Sequence, residues 1–384
     1  MNTPSHRDHV DAHLRTYKPT TYGFFRPERI ILTRGTLDTP ARAAFAHRLC
    51  DAFPYAQRIE APDRTHMQLS GLLPKGDDAR RAAGHRTLVL GTIGTPVRRS
   101  RERDIACPNY LHFSPTGLCT YACTYCYLAA SCATVVAPVP KIYLNLEDVL
   151  DAIARRARRL AAPESFYLGK LQDALALDPL TGYSRVLIPF FARHPLARCV
   201  LLTKSVVVDN LLGLDHGGHT AASWSLNPAC VCRQFEFGAP PLEDRLEAAR
   251  RCAQAGYPVR FLIMPILPID GWRQAYADLI DAIFDAVPPQ RITLGGICSY
   301  PGALRLTART LGPDNLIARH IAPTPSPDGR LRFLPELRTD LYRHILAAIR
   351  RHDAAIPVAL CLEEPPLWHA LGLDPAKPTC NCIW

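Results

Sequence analysis

Short apolar runs alternate with amphipathic segments along most of this chain, and the alternation predicts repeated strand–helix units. Repeats of this kind build a parallel sheet or barrel with its site at the carboxyl ends of the strands. Six repeats are too few for a closed barrel of eight strands, so the predicted fold is α/β, a partial (β/α)6 TIM-type barrel. The predicted barrel strands are 110–113, 165–170, 199–204, 221–226, 259–264 and 291–295, and the predicted helices are 146–161, 183–192, 208–214, 241–255 and 271–286.

The chain before the barrel divides into two predicted parts. Residues 1–25 are polar and aperiodic, which indicates a mobile leader. Residues 26–105 hold strand-like runs at 29–35 and 86–94 and a helix over 39–53 that a threonine caps, so they predict a small α/β N-terminal unit. The arginine-rich stretch VRRSRERDIACPN, which leads into the barrel, is typical of a solvated linker.

The barrel is predicted to occupy residues 106–300, and residues 301–384 are predicted to form a C-terminal extension. The extension contains an amphipathic helix over 338–351, a strand-like PVALCLEE run and an irregular, proline-rich end. No internal repeat of fixed period is visible.

Composition places the chain among globular proteins. It has 384 residues, a formal net charge of +10, 48% hydrophobic and 21% charged residues. No apolar run reaches the roughly 18 residues of a membrane span, so disorder and membrane insertion are poor interpretations. The charged N-terminus has no secretory signal, so we expect a cytoplasmic protein. The basic charge permits a nucleic-acid partner without establishing one.

Fourteen cysteines in a chain of the reducing cytoplasm favour metal or redox chemistry over disulfides. Cys119, Cys123 and Cys126 form a C-x3-C-x2-C motif directly after the first predicted barrel strand. Three thiolates on a short loop can ligate three irons of a 4Fe-4S cluster, which leaves the fourth iron open to a substrate or cofactor. The alternative is a zinc knuckle, whose fourth ligand would be Cys132, beyond a YLAA segment that predicts a helix start.

This motif, with an aromatic residue before its last cysteine, resembles that of the radical S-adenosylmethionine (radical SAM) superfamily. The resemblance implies that the open iron binds the amino and carboxylate groups of S-adenosyl-L-methionine. It also implies that the reduced cluster cleaves this cofactor to a 5′-deoxyadenosyl radical, which abstracts hydrogen from a substrate.

Longer segments narrow the resemblance to the spore photoproduct lyase family. They are RTLVLGT, HFSPTGLCTYACTYCYL, FLIMPI and the run from TKS through SLNP and FEFG to AGYPV, which together extend over residues 27–294. The resemblance implies that Lys204 meets the cofactor carboxylate and that Ser225 and Asn227 bind its polar atoms. All three follow or end predicted strands, where a barrel places its site. It also implies that Tyr125 and Tyr127 relay a hydrogen atom.

The chain differs from the family at one position that matters for the chemistry. Where the family carries a cysteine that donates a hydrogen atom, this chain has Lys170, within FYLGKLQD. An ammonium group has no weak bond to hydrogen, so Lys170 would instead bind an anionic substrate group or pair with Asp173. The C-terminal third also departs from the family, where a basic, tyrosine-rich element approaches DNA.

Three hypotheses follow. The first is a carbon–carbon lyase that repairs thymine-dimer (spore photoproduct) DNA with an electron donor such as flavodoxin or ferredoxin. The second is an enzyme with the same cluster and cofactor whose substrate is another nucleotide, a small metabolite or a peptide. The third is a non-catalytic nucleic-acid-binding metalloprotein.

Other cysteine and histidine pairs have weaker interpretations. Cys230-x-Cys232 and Cys380-x-Cys382, with Cys298 and Cys361, could bind a second iron–sulfur cluster, supply the missing hydrogen-atom donor, or be small buried apolar residues. His216-x-x-His219 is more typical of a solvated turn than of a metal site.

Overall fold

The computed structural model describes residues 5–23, 25–130 and 137–384. The strands are β1 (Arg29–Thr33), β2 (Gln57–Ala61), β3 (Thr87–Gly91), β4 (Val97–Ser100), β5 (Tyr110–Phe113), β6 (Thr116–Gly117), β7 (Ala122–Cys123), β8 (Lys141–Tyr143), β9 (Glu164–Leu168), β10 (Ala197–Thr203), β11 (Thr220–Leu226), β12 (Glu236–Phe237), β13 (Val259–Ile263), β14 (Arg291–Leu294), β15 (Cys298–Ser299), β16 (Leu331–Arg332) and β17 (Val358–Leu360).

The helices are α1 (His6–Thr16), α2 (Pro40–Asp51), α3 (Asp77–Gly84), α4 (Leu146–Ala157), α5 (Asp178–Thr181), α6 (Ser184–Ala192), α7 (Ala229–Phe235), α8 (Leu242–Gln254), α9 (Trp272–Ala286), α10 (Pro301–Leu311), α11 (Leu316–His320), α12 (Pro335–His352) and α13 (Pro365–Ala370), with a 3-10 helix at Tyr127–Ala130. None of the helices in these described ranges is long and apolar enough to cross a bilayer.

The larger sheet confirms the predicted partial barrel. Its strand order is β17-β14-β13-β11-β10-β9-β5-β4, and the six predicted barrel strands run parallel in chain order. Two edge strands add to them: β4 pairs antiparallel with β5, and β17 pairs parallel with β14. The residues of β11 and β13 are buried throughout, as expected for parallel strands covered by helices.

A second sheet, of order β2-β1-β3-β8-β6, extends the predicted N-terminal unit. The helix α2 begins as predicted, because the Thr39 side chain accepts a hydrogen bond from the Arg42 amide. The strands β6 and β8 come from residues beyond 105, so the sheet is completed by chain that follows the first barrel strand. One continuous apolar core includes residues from both sheets, such as Ile30 and Phe166.

The prediction of a mobile leader is wrong over residues 6–16, which form helix α1. Its Val10 and Leu14 side chains are buried in the core, and His6 bonds Asp151 of helix α4 at 2.6 Å. The polar composition concealed this helix because only two of its residues face the core.

Two further predictions need correction. Residues 208–214 form turns rather than a helix. The arginine-rich stretch is not only a linker, since its first four residues form β4. The strand-like run of the C-terminal extension is confirmed as β17, and this strand joins the barrel sheet.

Candidate active site

A cavity of about 180 Å³ lies at the carboxyl ends of the barrel strands. Its wall includes all three cysteines of the C-x3-C-x2-C motif together with Tyr125, Tyr127, Lys204 and Ser225. Seven of the nine predicted site residues therefore meet at one place, while Asn227 and Lys170 do not line this cavity.

The cysteine loop is held by two neighbouring segments. Strand β7 pairs antiparallel with β12, and the Thr124 amide donates to the Phe235 carbonyl at 2.8 Å. Leu118, with φ of +61°, forms a bridge with Gln172 just before the first cysteine. The loop is thus fixed between the segment that follows β9 and the segment formed by the end of α7 and β12, and it presents its thiols to the cavity.

Burial shapes the chemistry of these thiols. It raises the pKa of Cys119 well above the ordinary value and that of Cys123 to about 12, although Lys204 opposes the second shift. A thiolate at such a place requires a cation, and an iron centre supplies one. Among the described residues no group of three His, Cys, Asp or Glu gathers tightly enough for a single ion. An iron–sulfur cluster has a different requirement, since each thiolate binds its own iron.

Lys204 projects from the end of β10 beside Ser225 of β11. Its Nζ donates to Ser225 Oγ at 2.7 Å and lies 3.8 Å from Glu236 Oε1. Burial alone would lower the pKa of the Lys204 ammonium, but the Glu236 carboxylate raises it above its ordinary value. Lys204 is therefore a charged donor at the cavity wall, suited to a carboxylate ligand.

Glu236, which we did not single out from the sequence, organises the polar groups behind the wall. It accepts hydrogen bonds from Tyr125 and Asn227 and pairs with Arg245 at 2.5 Å. Burial raises the pKa of Glu236, but Lys204 and Arg245 outweigh it and lower the pKa to about 2. The only sequence signal was the glutamate between two phenylalanines in FEFG, and Arg245 had none.

Asn227 lies in this buried layer instead of at the cavity. It is 0% exposed, and its amide bonds Glu236 at 3.1 Å and Tyr276 at 3.3 Å. Its placement orients Glu236, so a direct contact with a ligand stays a prediction.

The two tyrosines of the motif differ in their surroundings. Tyr125 is buried against Glu236, and its ring lies 5.9 Å from the Lys204 ammonium. Tyr127 is 38% exposed, and its hydroxyl donates to the Lys170 carbonyl at 2.5 Å. Burial raises the pKa of both phenols, so both keep their O–H hydrogen at neutral pH.

One of the two interpretations of Lys170 predicted an ion pair with Asp173, and the structure does not show that pair. Its ammonium bonds Ser100 and Glu102, and it lies 5.3 Å from the centre of the Tyr110 ring. Asp173 accepts instead from the Thr203 hydroxyl at 2.6 Å and from the Lys204 amide at 2.7 Å. Asp173 thus ties the segment that follows β9 to the end of β10.

The remaining sequence motifs fall outside the cavity, with one exception. Cys298 lines the cavity wall, whereas Cys230 and Cys232 lie on helix α7 behind it. His216 and His219 bond backbone carbonyls, in agreement with a turn. Cys132 lies outside the described residues.

A three-cysteine loop over the carboxyl ends of a parallel partial barrel defines the class of the radical SAM barrel proteins. Within this class the chain belongs to the spore photoproduct lyase family, whose sequence profile matches residues 25–294.

Individual relatives agree with this assignment. The spore photoproduct lyase of Bacillus subtilis (strain 168) is 34% identical over 210 residues, 54% of this chain and 58% of the relative. That of Geobacillus sp. (strain Y412MC61) is 34% identical over 230 residues, 59% of this chain and 65% of the relative. The alignments therefore span less than two thirds of the relatives' length.

Solved structures share the fold over more of the chain. Spore photoproduct lyase complexed with dinucleoside spore photoproduct superposes with a TM-score of 0.75 at 22% identity, covering 88% of this chain and 99% of that chain. A mutant of spore photoproduct lyase with bound AdoMet and dinucleoside spore photoproduct gives 0.73 at 22% identity, covering 87% and 98%.

Proposed function

We propose that this chain is a radical SAM lyase that acts on thymine-dimer (spore photoproduct) DNA. The observation that supports the proposal best is the single cavity on which the cysteine loop, Lys204 and the two tyrosines meet. The curated relatives and solved neighbours are spore photoproduct lyases, and one neighbour holds AdoMet with the dinucleoside lesion.

The residues present fit a 4Fe-4S cluster and S-adenosylmethionine. Cys119, Cys123 and Cys126 would hold the cluster, and the buried thiols need its positive charge. When bound, the cluster and the cofactor supply the one-electron chemistry that lets an adenosyl radical abstract hydrogen from a substrate. Lys204 and Ser225 bind and orient the carboxylate end, while Asn227 and Arg245 fix Glu236 behind them.

Tyr125 and Tyr127 hold transferable hydrogen at the cavity wall. Both phenols stay protonated, and each O–H has a fixed acceptor: Glu236 for Tyr125 and the Lys170 carbonyl for Tyr127. The more exposed Tyr127 is the better placed of the two to exchange hydrogen with a ligand in the cavity.

The surface beside the cavity supports an anionic substrate such as DNA. Lys170 bonds two residues of the arginine-rich stretch, Ser100 and Glu102, so this stretch lies next to the residue that accepts from Tyr127. Its Arg98, Arg101 and Arg103 side chains are exposed. Exposed arginines beside a site favour phosphate contacts.

A different substrate in the same cavity is the second candidate, and Lys170 is the observation that favours it. This residue replaces the cysteine implied by the resemblance, and its ammonium is already engaged by Glu102 at 3.0 Å. The substrate would then be another nucleotide, a small metabolite or a peptide. An electron donor such as flavodoxin or ferredoxin and a cytoplasmic location belong to the proposal on either substrate.

The proposal is tested with the full chain, reconstituted anaerobically with iron and sulfide and supplied with S-adenosylmethionine and dithionite. Conversion of the lesion into two thymine residues is measured on dinucleoside spore photoproduct and on DNA that carries the lesion, with undamaged DNA as the control. Loss of the lesion with formation of two intact thymine residues is the expected result. Formation of 5′-deoxyadenosine with no repair of either substrate would overturn the lyase proposal and favour the second candidate.

A further inference from the structure

Four cysteines outside the motif loop come together against the barrel sheet. They are Cys107, which precedes β5, Cys361, which follows β17, and Cys380 and Cys382 of the C-terminal tail. Backbone hydrogen bonds bring two of these segments side by side, because the Ala106 amide donates to the Glu363 carbonyl at 2.9 Å. Residues more than 250 positions apart in the sequence therefore meet at one place.

Direct contacts bring the segments that carry these cysteines together. The Cys380 and Cys382 side chains share a hydrogen bond, and the Cys107 side chain bonds the backbone of Leu362. The Cys361 amide donates to the Leu294 carbonyl of β14 at 2.7 Å, and the Thr379 hydroxyl, next to Cys380, donates to the Val358 carbonyl of β17 at 3.5 Å. The four cysteines therefore belong to segments that meet beside β14 and β17, whereas Cys298 lines the cavity.

The C-terminal tail is held firmly where it carries its two cysteines. Ser165 Oγ donates to the Cys382 carbonyl at 2.7 Å, and Arg291 donates to the Cys380 carbonyl at 3.2 Å. Between them, Asn381 accepts from Ser223 Oγ at 2.8 Å. The contacts come from β9, β14 and β11, so three barrel strands position the tail.

Two guanidinium groups beside the tail, the buried Arg260 and the half-buried Arg291, have no counter-charge among the described residues, although Arg260 stacks on the Trp384 ring at 5.1 Å. Arg260 is 1% exposed and bonds only neutral oxygens, those of Gln290, Asn381 and Ile383. Arg291 bonds the carbonyls of Cys380 and Ile383, and its Nε atom has no partner. Neither forms an ion pair with a carboxylate of the residues that the structure describes. Buried cations require negative charge nearby, which a cluster with four thiolate ligands carries.

We propose that Cys107, Cys361, Cys380 and Cys382 bind a second iron–sulfur cluster. Four thiolates give every iron of a 4Fe-4S cluster a protein ligand, so this cluster would have no open iron for a cofactor. A tetrahedral zinc ion would take the same ligands, but no group in the described part of the chain gathers around a single ion position. The sites are neighbours. Cys382 packs against the apolar group that includes Tyr110, the Tyr110 ring lies 5.3 Å from the Lys170 ammonium, and the Lys170 carbonyl accepts from Tyr127 of the cavity wall.

The test measures metal in a variant that lacks the first site. The full chain carrying Cys119→Ala, Cys123→Ala and Cys126→Ala is produced and purified without oxygen, then reconstituted with iron and sulfide. We expect about four irons and four sulfides per chain in this variant, against about eight of each in the wild type. Adding Cys361→Ala and Cys380→Ala should remove the remainder, whereas adding Cys50→Ala and Cys252→Ala should not.

A folded triple variant that holds no iron, or one zinc, would overturn the proposal. So would a disulfide between Cys380 and Cys382 in the anaerobic protein. If the triple variant does not fold, the test is electron paramagnetic resonance of the reduced wild-type protein. Adenosylmethionine should then shift about half of the reduced-cluster signal, and a shift of the whole signal would contradict a second cluster. Either readout is independent of lesion repair, so the two proposals can fail separately.

Discussion

The Lys204 ammonium and the Glu236 carboxylate lie 3.8 Å apart, and Glu236 is shared with a second cation, Arg245. Two positive charges therefore share one carboxylate in a layer where both Glu236 and Arg245 are 0% exposed. Lys204, 13% exposed, is the member that reaches the cavity. This arrangement keeps a charged donor at the wall while its partner stays fixed behind it.

Replacing Lys204 should weaken cofactor binding without removing the cluster. A hydrogen bond to a charged group contributes about 1.5–3 kcal/mol, so Lys204→Ala should raise the Kd for S-adenosylmethionine by about 10- to 100-fold. Equilibrium binding to the reconstituted protein measures this, and iron content reports on the cluster. The matched control is Lys75→Ala, at an exposed lysine. An unchanged Kd in Lys204→Ala would remove Lys204 from the cofactor site.

Glu236→Gln should destabilise the fold strongly. The substitution leaves Lys204 and Arg245 without their shared carboxylate, and breaking a buried ion pair on one side costs about 3–5 kcal/mol. Urea unfolding followed by circular dichroism measures the free energy of unfolding. Glu247→Gln, which breaks an exposed pair with Arg250, should change it by less than about 1 kcal/mol. Equal losses of unfolding free energy in the two variants would show that the buried ion pair contributes no more than the exposed one.

Lys170→Cys should improve repair if spore photoproduct DNA is the substrate. The substitution places a thiol, whose S–H hydrogen is transferable, where Lys170 now bonds Glu102. We expect more intact thymine per cofactor consumed than in Lys170→Ala, which loses the same ion pair but gains no thiol. Product analysis by mass spectrometry measures the ratio. If the two variants repair equally, the hydrogen atom comes from another residue.

Stability should fall in mild acid because of His112. The His112 side chain is 6% exposed, and its pKa is lowered to about 4. Burial is the largest cause, and the positive charges of Lys170 and Arg98 add to it. A depressed histidine pKa means that the folded state favours the neutral ring. The stabilisation is complete above the unfolded pKa of about 6.5 and is lost as pH falls towards 4, by up to about 3 kcal/mol. Unfolding free energies at pH 7 and pH 4.5 measure this. His112→Phe should flatten the dependence, and parallel curves for both proteins would exclude His112 as its cause.

The sequence predicted those parts of the fold that periodicity determines. The six parallel strands carry continuous apolar runs, and Thr39 before Pro40 marked a helix start. Strand β2 was missed because its residues, QRIEA, are mostly exposed at a sheet edge. Helix α1 was missed because its sequence is polar and its stability comes from packing on distant residues such as Asp151.

The candidate site was predictable where local motifs carry it and not where distant segments meet. The cysteine spacing predicted three of the seven residues that line the cavity wall, and the family resemblance predicted the other four. The buried pair of Glu236 and Arg245 depends on contacts between β12 and α8 that no spacing reveals. The same holds for Lys170, whose partner Glu102 lies 68 residues earlier in the chain.

The account depends most directly on the cluster at Cys119, Cys123 and Cys126. The decisive measurement is electron paramagnetic resonance of the dithionite-reduced full chain, with and without S-adenosylmethionine, together with quantified 5′-deoxyadenosine. The account predicts a reduced-cluster signal that changes when the cofactor is added, and 5′-deoxyadenosine formation that Cys119→Ala, Cys123→Ala or Cys126→Ala each abolish. A reduced-cluster signal that does not change with the cofactor would contradict the account. Cleavage of S-adenosylmethionine by any of these three variants would also contradict it.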